Sequence, residues 1–274
     1  VVSFNPDLDQ HSRRQLALLG ELRAAIERAQ LVVHYQPKAE LATGRILGVE
    51  ALVRWQHPDH GLLQPGEFMP QVERTELIRP LTRYVLHVAL EQARSWLTEG
   101  HDLSLAVNIG ARNLLDATFP EEVAALLADT GVPADHLVLE ITESTIMADP
   151  TRSEEVLTRL CLLGVKLAID DFGTGFSSMA HLRDLTIHEL KIDRSFISHM
   201  CHRPNDAVIV RSTIALARSL GLHVVAEGVE DQQTWDELER LRCHAAQGYF
   251  LSRPLPADEL ARMLPARPIV SGPH

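Results

Sequence analysis

The sequence predicts an α/β protein built as a (β/α)8 barrel that is irregular at its first strand. Three observations predict it. Strand-like and helix-like segments alternate along nearly the whole chain, which implies βαβ crossovers and a mainly parallel sheet. About eight strands fall within the 274 residues, a length that suits one closed barrel. The first two strands are separated by a turn too short for a crossover helix, so that pair is expected to be antiparallel. An open doubly wound sheet is the alternative.

Taken in order, residues 1–12 have the character of a linker. The spacing of Leu16, Leu19, Leu22 and Ile26 predicts a helix from Arg13 to Ala29, with Ser12 as its N-cap. The β-branched and aromatic run Leu31-Val32-Val33-His34-Tyr35 predicts a strand. A turn at Gly44 leads to a second strand, Ile46 to about Trp55. Strands are then expected at 103–109, 137–141, 165–169, 189–192, 223–226 and 245–250. Helices are expected at 81–97, 121–129, 151–163, 177–185, 206–220, 231–241 and 257–264. Gly131, Gly164 and Gly221 fall where helix C-caps belong. In the 206–220 helix, Val208, Ile209, Ile214, Leu216 and Ala217 are expected to pack in the core.

The apolar fraction is 45% and the charged fraction 23%, which argues against disorder, collagen and coiled coil. The formal net charge is −11. Such a chain lacks the basic stripe of a duplex-binding protein and repels anionic lipid, so neither partner is expected. A phosphate-ester substrate would need bound cations to reverse the local field. Cys161, Cys201 and Cys243 are odd in number and far apart, which points to a reducing, cytoplasmic setting. No apolar run approaches the ~18 residues of a membrane span. The opening residue is Val1, and a piece of a longer polypeptide is expected.

Polar residues collect at the last positions of otherwise apolar strands: Glu50, Asn108, Glu140, Asp170-Asp171, Lys191 with Asp193, Glu227 and Gln247. A barrel builds its active site from strand C-terminal ends. One such residue would be a solvated rim group, but seven strands in succession call for another explanation. Carboxylates are costly to bury unpaired, so this crowd needs cations. Oxygen donors without His or Cys favour Mg2+ or Mn2+, and four carboxylates suit two ions. Asp170 and Asp171 point to opposite faces of a straight strand, so both reach one site only if the chain turns; Gly173 and Gly175 permit a turn. Lys191 is either a structural salt bridge or a group that orients water and neutralises a leaving oxygen. The stretch Asp171-Phe172-Gly173-Thr174-Gly175-Phe176 fails as a dinucleotide fingerprint and as a kinase motif, but fits a mobile loop after a catalytic strand. The 14 histidines show no zinc spacing and are expected to be surface or structural residues.

The motifs Tyr35-Gln36-Pro37, Glu50-Ala51-Leu52-Val53-Arg54-Trp55, Asn108, Glu140-Ile141-Thr142-Glu143, Asp170-Asp171-Phe172-Gly173-Thr174-Gly175, Leu190-Lys191-Ile192-Asp193, Ala226-Glu227-Gly228-Val229-Glu230 and Gln247-Gly248-Tyr249 stand in the order of one family. The chain resembles an EAL domain, the bacterial cyclic-di-GMP phosphodiesterase, over about residues 20–265. The resemblance implies a modified TIM (β/α)8 barrel with an antiparallel first strand. It implies the family domain over 21–265; residues 1–20 are expected to be a linker, and the prolines and Gly272 of residues 266–274 point to a flexible tail. It implies hydrolysis of cyclic-di-GMP to linear pGpG with Mg2+ or Mn2+, two ions per site, and a homodimer. By the same resemblance Glu50, Asn108, Glu140 and Asp170 hold the first ion, and Asp171 and Glu227 serve the second. Lys191, Glu227 and Glu50 form the catalytic set, with Lys191 positioning the attacking water. Gln36, Leu52, Arg54, Asp193 and Gln247 engage the substrate. Glu143 steadies the loop Phe172-Gly173-Thr174-Gly175-Phe176, which links dimerisation to activity; Phe176 replaces the family's usual Tyr. A catalytically silent cyclic-di-GMP receptor is the alternative, although such receptors typically lack site carboxylates that are all present here. Residues 1–12 resemble the junction after a GGDEF domain, which predicts an upstream sensory or GGDEF-like domain.

Overall fold

The structure, a computed structural model, describes residues 18–173 and 186–265. The expected short helix at 177–185, the loop residues Thr174, Gly175 and Phe176, the linker 1–12 and the tail 266–274 lie outside the described residues.

Among the described residues eight strands close into a barrel. Helix α1 (18–27) leads to β1 (Leu31–Glu40) and β2 (Ile46–His57), which pair antiparallel from Leu31↔Trp55 to Ala39↔Ile46. β2 also holds a short hairpin strand, β3 (Gly61–Leu63), outside the ring. Parallel pairing runs from β2 through β4 (Ser104–Asn108), β5 (Leu137–Thr142), β6 (Lys166–Phe172), β7 (Glu189–Ile192), β8 (His223–Ala226) and β9 (Ala245–Gln247). β9 then meets β1 antiparallel at Lys38↔Gln247 and closes the ring. β1 thus opposes both of its neighbours, as the short turn requires, and closure excludes the open sheet.

The parallel strands are apolar because helices cover one face and packed side chains fill the other. Leu137 to Ile141 is buried at every residue. Outside the ring lie α2 (Pro65–Val72), α3 (Ile78–Thr98), α4 (Ala111–Leu114), α5 (Phe119–Thr130), α6 (Glu143–Met147) and α7 (Pro150–Leu162), then helices Arg194–Ile197, Pro204–Ser219, Gln232–Arg240 and Ala257–Ala261. α3 turns Leu81, Val85, Leu86, Ala89, Ala93 and Trp96 inward at helical spacing. Trp96 meets Tyr35 edge-on at 4.9 Å, and the Tyr84 hydroxyl donates to the Leu31 carbonyl at 2.8 Å. That pins the odd strand β1 to the helical layer. Asp149 and Asp231 cap their helices by accepting from Arg152 N and Thr234 N.

Three expectations need correction. The strand expected at 245–250 stops at Gln247, because the chain turns there to pack against Val229. In the helix Pro204–Ser219, Val208 and Ile209 face solvent; the buried face is Val210, Thr213, Ile214 and Ala217. The segment between β2 and α3, for which no element was expected, holds β3 and α2. Its His57 is buried, pairs with Glu21 of α1 at 2.8 Å, and accepts from Asp59 N and His60 N.

Candidate active site

The C-terminal ends of the parallel strands gather the predicted polar residues at one rim. Lys191 of β7 stands at the centre, 1% exposed. Its Nζ lies 2.6 Å from Glu227 Oε1, 2.8 Å from Glu140 Oε2, 3.4 Å from Asp170 Oδ2 and 3.6 Å from Glu50 Oε2. Four strands therefore aim carboxylates at one ammonium. Glu50 is further held by amides: Asn108 Nδ2 donates to its Oε1 at 2.7 Å and Gln247 Nε2 to its Oε2 at 2.6 Å. Gln247 also donates to Gln36 Oε1 at 3.0 Å, and Gln36 donates to the Ser252 carbonyl at 3.1 Å. This chain of amides fixes the orientation of Glu50.

A local slip in β6 brings the fifth carboxylate in. Pairing with β7 breaks between Ile169 and Phe172, and Asp171 adopts φ +53°, left-handed geometry that Asp tolerates better than most residues. Its amide donates to Asp170 Oδ1 at 2.8 Å. As a result one carboxylate oxygen from each of Asp170, Asp171 and Glu227 lies within 4.8 Å of the others. The turn that the paired aspartates demanded is present, but it begins at Asp171 itself; Gly173 continues it at φ +100°.

Five carboxylates around one ammonium leave a large negative excess. Burial and the charges of Glu50 and Asp170 outweigh Lys191 and push the Glu140 carboxyl well up. Burial raises Glu227 to about 8, and burial with the Asp170 and Asp193 charges raises Asp171 to about 6. Burial also acts on Glu50, but Lys191, Gln247 and Asn108 overcome it and hold that carboxyl low. The four facing carboxylates outweigh the burial of Lys191 and keep its ammonium charged. Glu140 Oε2 is fully buried, with the Lys191 ammonium as its ion-pair partner. Converging hard oxygen donors and an excess of buried negative charge fit a divalent cation of the Mg2+ or Mn2+ type.

Beside the cluster lies a cavity of about 220 Å3, lined by Gln36, Glu50, Leu52, Asp170, Glu227 and Gln247 among others. A wider groove of about 610 Å3 runs from Leu52 past Asn108 and Asp171 to α2 and α3. Half-buried Leu52 borders both. Arg54 follows Glu50 and Leu52 on the same side of β2; it is buried, which lowers its pKa against the pull of the Glu50 carboxylate, and it donates to the Val53 carbonyl at 2.9 Å. Asp193 sits next to Asp171, but it also caps the helix Arg194–Ile197 through Ser195 N at 3.0 Å. Glu143 opens α6 directly after β5, and Phe172 is buried at the end of β6.

The cavity adds Arg194, Glu230 and Tyr249, to which sequence reasoning assigned no role in the site. Tyr249 is half exposed and carries Arg253 over its ring at 4.2 Å. The signals were an aromatic beside Gln247-Gly248 and a cation beside Asp193. Gly248 is required by closeness: a Cβ there would lie 2.1 Å from the Val229 carbonyl oxygen.

The sequence model of the EAL domain matches residues 19–254. The chain is 46% identical over 258 residues to the bifunctional diguanylate cyclase/cyclic di-GMP phosphodiesterase MucR of Pseudomonas aeruginosa, covering 94% of this chain and 38% of that protein. A second cyclic di-GMP phosphodiesterase of that species is 41% identical, over 94% of this chain and 44% of its own length. The chain thus spans less than half the length of these relatives. Among solved structures, the MucR phosphodiesterase in complex with c-di-GMP superposes with a TM-score of 0.86 at 47% identity, over 89% of this chain and 99% of that one. The EAL enzyme Bd1971, bound to cAMP and cyclic-di-GMP, gives 0.88 at 28% identity, over 95% of this chain and 70% of that one. Among the described residues no helix is long and apolar enough to cross a membrane.

Proposed function

Because the chain belongs to the EAL domain family, we propose that it hydrolyses cyclic-di-GMP to linear pGpG with the help of divalent cations. The observation that carries this reading is the rim cluster, in which a strand slip after Asp170 adds the carboxylate of Asp171 to the four that already surround Lys191. That much concentrated negative charge costs stability unless cations offset it.

Glu50, Asn108, Glu140 and Asp170 are the residues to hold one ion, and Asp171 with Glu227 a second. When bound, such ions supply positive charge to phosphate oxygens and lower the pKa of water. The chain's own groups do the rest. Lys191, fixed by its carboxylates, orients the attacking water. Glu227 sits where it can accept that water's proton. A bond forms from the water oxygen to phosphorus, and the bond from phosphorus to the 3′ oxygen breaks as that oxygen gains a proton. Arg54 offers a planar fork of donors to a phosphate. Gln36, Leu52, Asp193 and Gln247 border the nucleotide, the two amides while holding Glu50 in place. Glu143 and the loop from Phe172 to Phe176 couple a homodimer to the site. A longer parent protein with an upstream sensory or GGDEF-like domain, working in the cytoplasm, completes the reading.

The test is incubation of purified protein with cyclic-di-GMP and Mg2+ or Mn2+, with pGpG as the expected product. Binding of cyclic-di-GMP without any pGpG, under either metal, would contradict the enzyme and identify a receptor.

A further inference from the structure

The mechanism leaves one buried ion pair unused. Lys38 on β1 places its Nζ 2.7 Å from both carboxylate oxygens of Glu189 on β7. The two side chains are 7% and 13% exposed. β1 and β7 are not neighbours in the sheet; β9 and β8 lie between them, so the pair spans the inside of the barrel. Side chains two apart on a strand share a face. Lys38 therefore lies one step below Gln36, and Glu189 one step below Lys191. Ala106, Val138 and Ala168 stand in the same step beneath Asn108, Glu140 and Asp170, and they form a small buried cluster of their own. Among the described residues the floor under the acidic rim thus includes small apolar residues crossed by the Lys38–Glu189 ion pair.

That floor has an electrostatic consequence. Glu189 sits on the same strand face as Lys191, its backbone position about 6.6 Å along the strand from that of Lys191. A lysine side chain is long enough to be drawn that far. Without a partner, the Glu189 carboxylate would be a buried charge competing with Glu140 and Glu227 for the Lys191 ammonium. With both of its oxygens engaged by Lys38, it exerts no such pull. We propose that Lys38 is a positioning residue: by neutralising Glu189 it keeps Lys191 directed at the rim carboxylates and at the attacking water.

The inference rests on the phosphodiesterase reading and separates from it experimentally. A purely structural ion pair would lose equally from either side, whereas this role is asymmetric. Lys38→Met exposes Lys191 to a lone carboxylate; Glu189→Gln leaves no competitor. Turnover of cyclic-di-GMP, KM and Mn2+ affinity by calorimetry are measured for wild type, K38M, E189Q and the double variant, with folding checked by circular dichroism. The expected results are a tenfold or greater fall in kcat for K38M at unchanged KM, Mn2+ affinity at least equal to wild type because Lys191 no longer competes for Glu140 and Glu227, and kcat within threefold of wild type for E189Q and for K38M/E189Q. Equal losses in K38M and E189Q would overturn the proposal, as would an inactive double variant that folds. A tenfold loss in E189Q overturns it even where K38M fails to fold. An inactive wild type would defeat the phosphodiesterase reading alone, and the Mn2+ arm would then decide: tenfold weaker binding in K38M contradicts the role of Lys38.

Discussion

Ion uptake at the rim should release protons, and the structure sets how many. Without metal, the Glu227 carboxyl is pushed to about 8 and that of Asp171 to about 6. At pH 7 Glu227 then holds about 0.9 of a proton and Asp171 about 0.1, so these two groups release about one proton as the site fills, and the raised Glu140 carboxyl can only add to that. At pH 9 the same sum is about 0.1. Apparent affinity should rise about tenfold per pH unit between 6 and 8 and level off above 8. Stability has the opposite slope without metal. Both carboxyls lie above their ordinary values, so their contribution is fully present below about pH 4 and is lost as pH rises through 6 and then 8. For Glu227, a rise from 4.5 to about 8 amounts to a loss on the order of 5 kcal/mol at high pH. Calorimetric titration with Mn2+ in two buffers of different ionisation enthalpy counts the protons, and thermal unfolding with and without Mn2+ follows the stability. Zero proton release at pH 7 with flat affinity between pH 6 and 8 would refute the burial argument. So would a metal-free Tm that climbs between pH 6 and 8.

Three further outcomes are expected. Glu50→Ala removes a carboxylate that two amides and Lys191 orient, and should cut kcat/KM by at least ~100-fold; steady-state assay under saturating Mn2+ checks it, and activity near wild type would remove Glu50 from ion binding. Arg54→Ala should raise KM roughly 10- to 100-fold with a smaller effect on kcat, from the loss of charge-assisted hydrogen bonds to phosphate; unchanged kcat/KM would contradict that contact. Gly248→Ala drives a methyl into the Val229 carbonyl and should cost roughly 1–3 kcal/mol, read as a lowered urea midpoint; a midpoint equal to wild type would show that the turn after β9 can yield.

The closed barrel was legible because its rhythm is local. Strand and helix periods alternate, and the turn at Gly44 is too short for anything but an antiparallel return. The rim was legible because polar residues interrupt apolar strands at one end, and a strand's end is a place on the barrel. What the sequence hid depends on tertiary contact. β3 and α2 lie in a stretch punctuated by His, Pro and Gly, in which the one apolar pair at helical spacing, Phe68 and Val72, is too short a signal and is interrupted by Pro70 inside α2. His57 gave no sign that it would be buried against Glu21. Val208 and Ile209 carried a helical period without a neighbour to cover them. The slip in β6 was demanded by Asp170-Asp171, and Gly173 does take positive φ there as its permissiveness suggested, but the turn begins one step earlier, at Asp171 itself.

The central claim is that the rim carboxylates hold divalent ions side by side with the substrate phosphate. Anomalous diffraction from crystals grown with Mn2+ and cyclic-di-GMP tests it most directly. The account predicts Mn2+ peaks bounded by oxygens of Glu50, Asn108, Glu140 and Asp170 on one side and Asp171 with Glu227 on the other. Nucleotide seated in the cavity with no anomalous peak at those oxygens would contradict it.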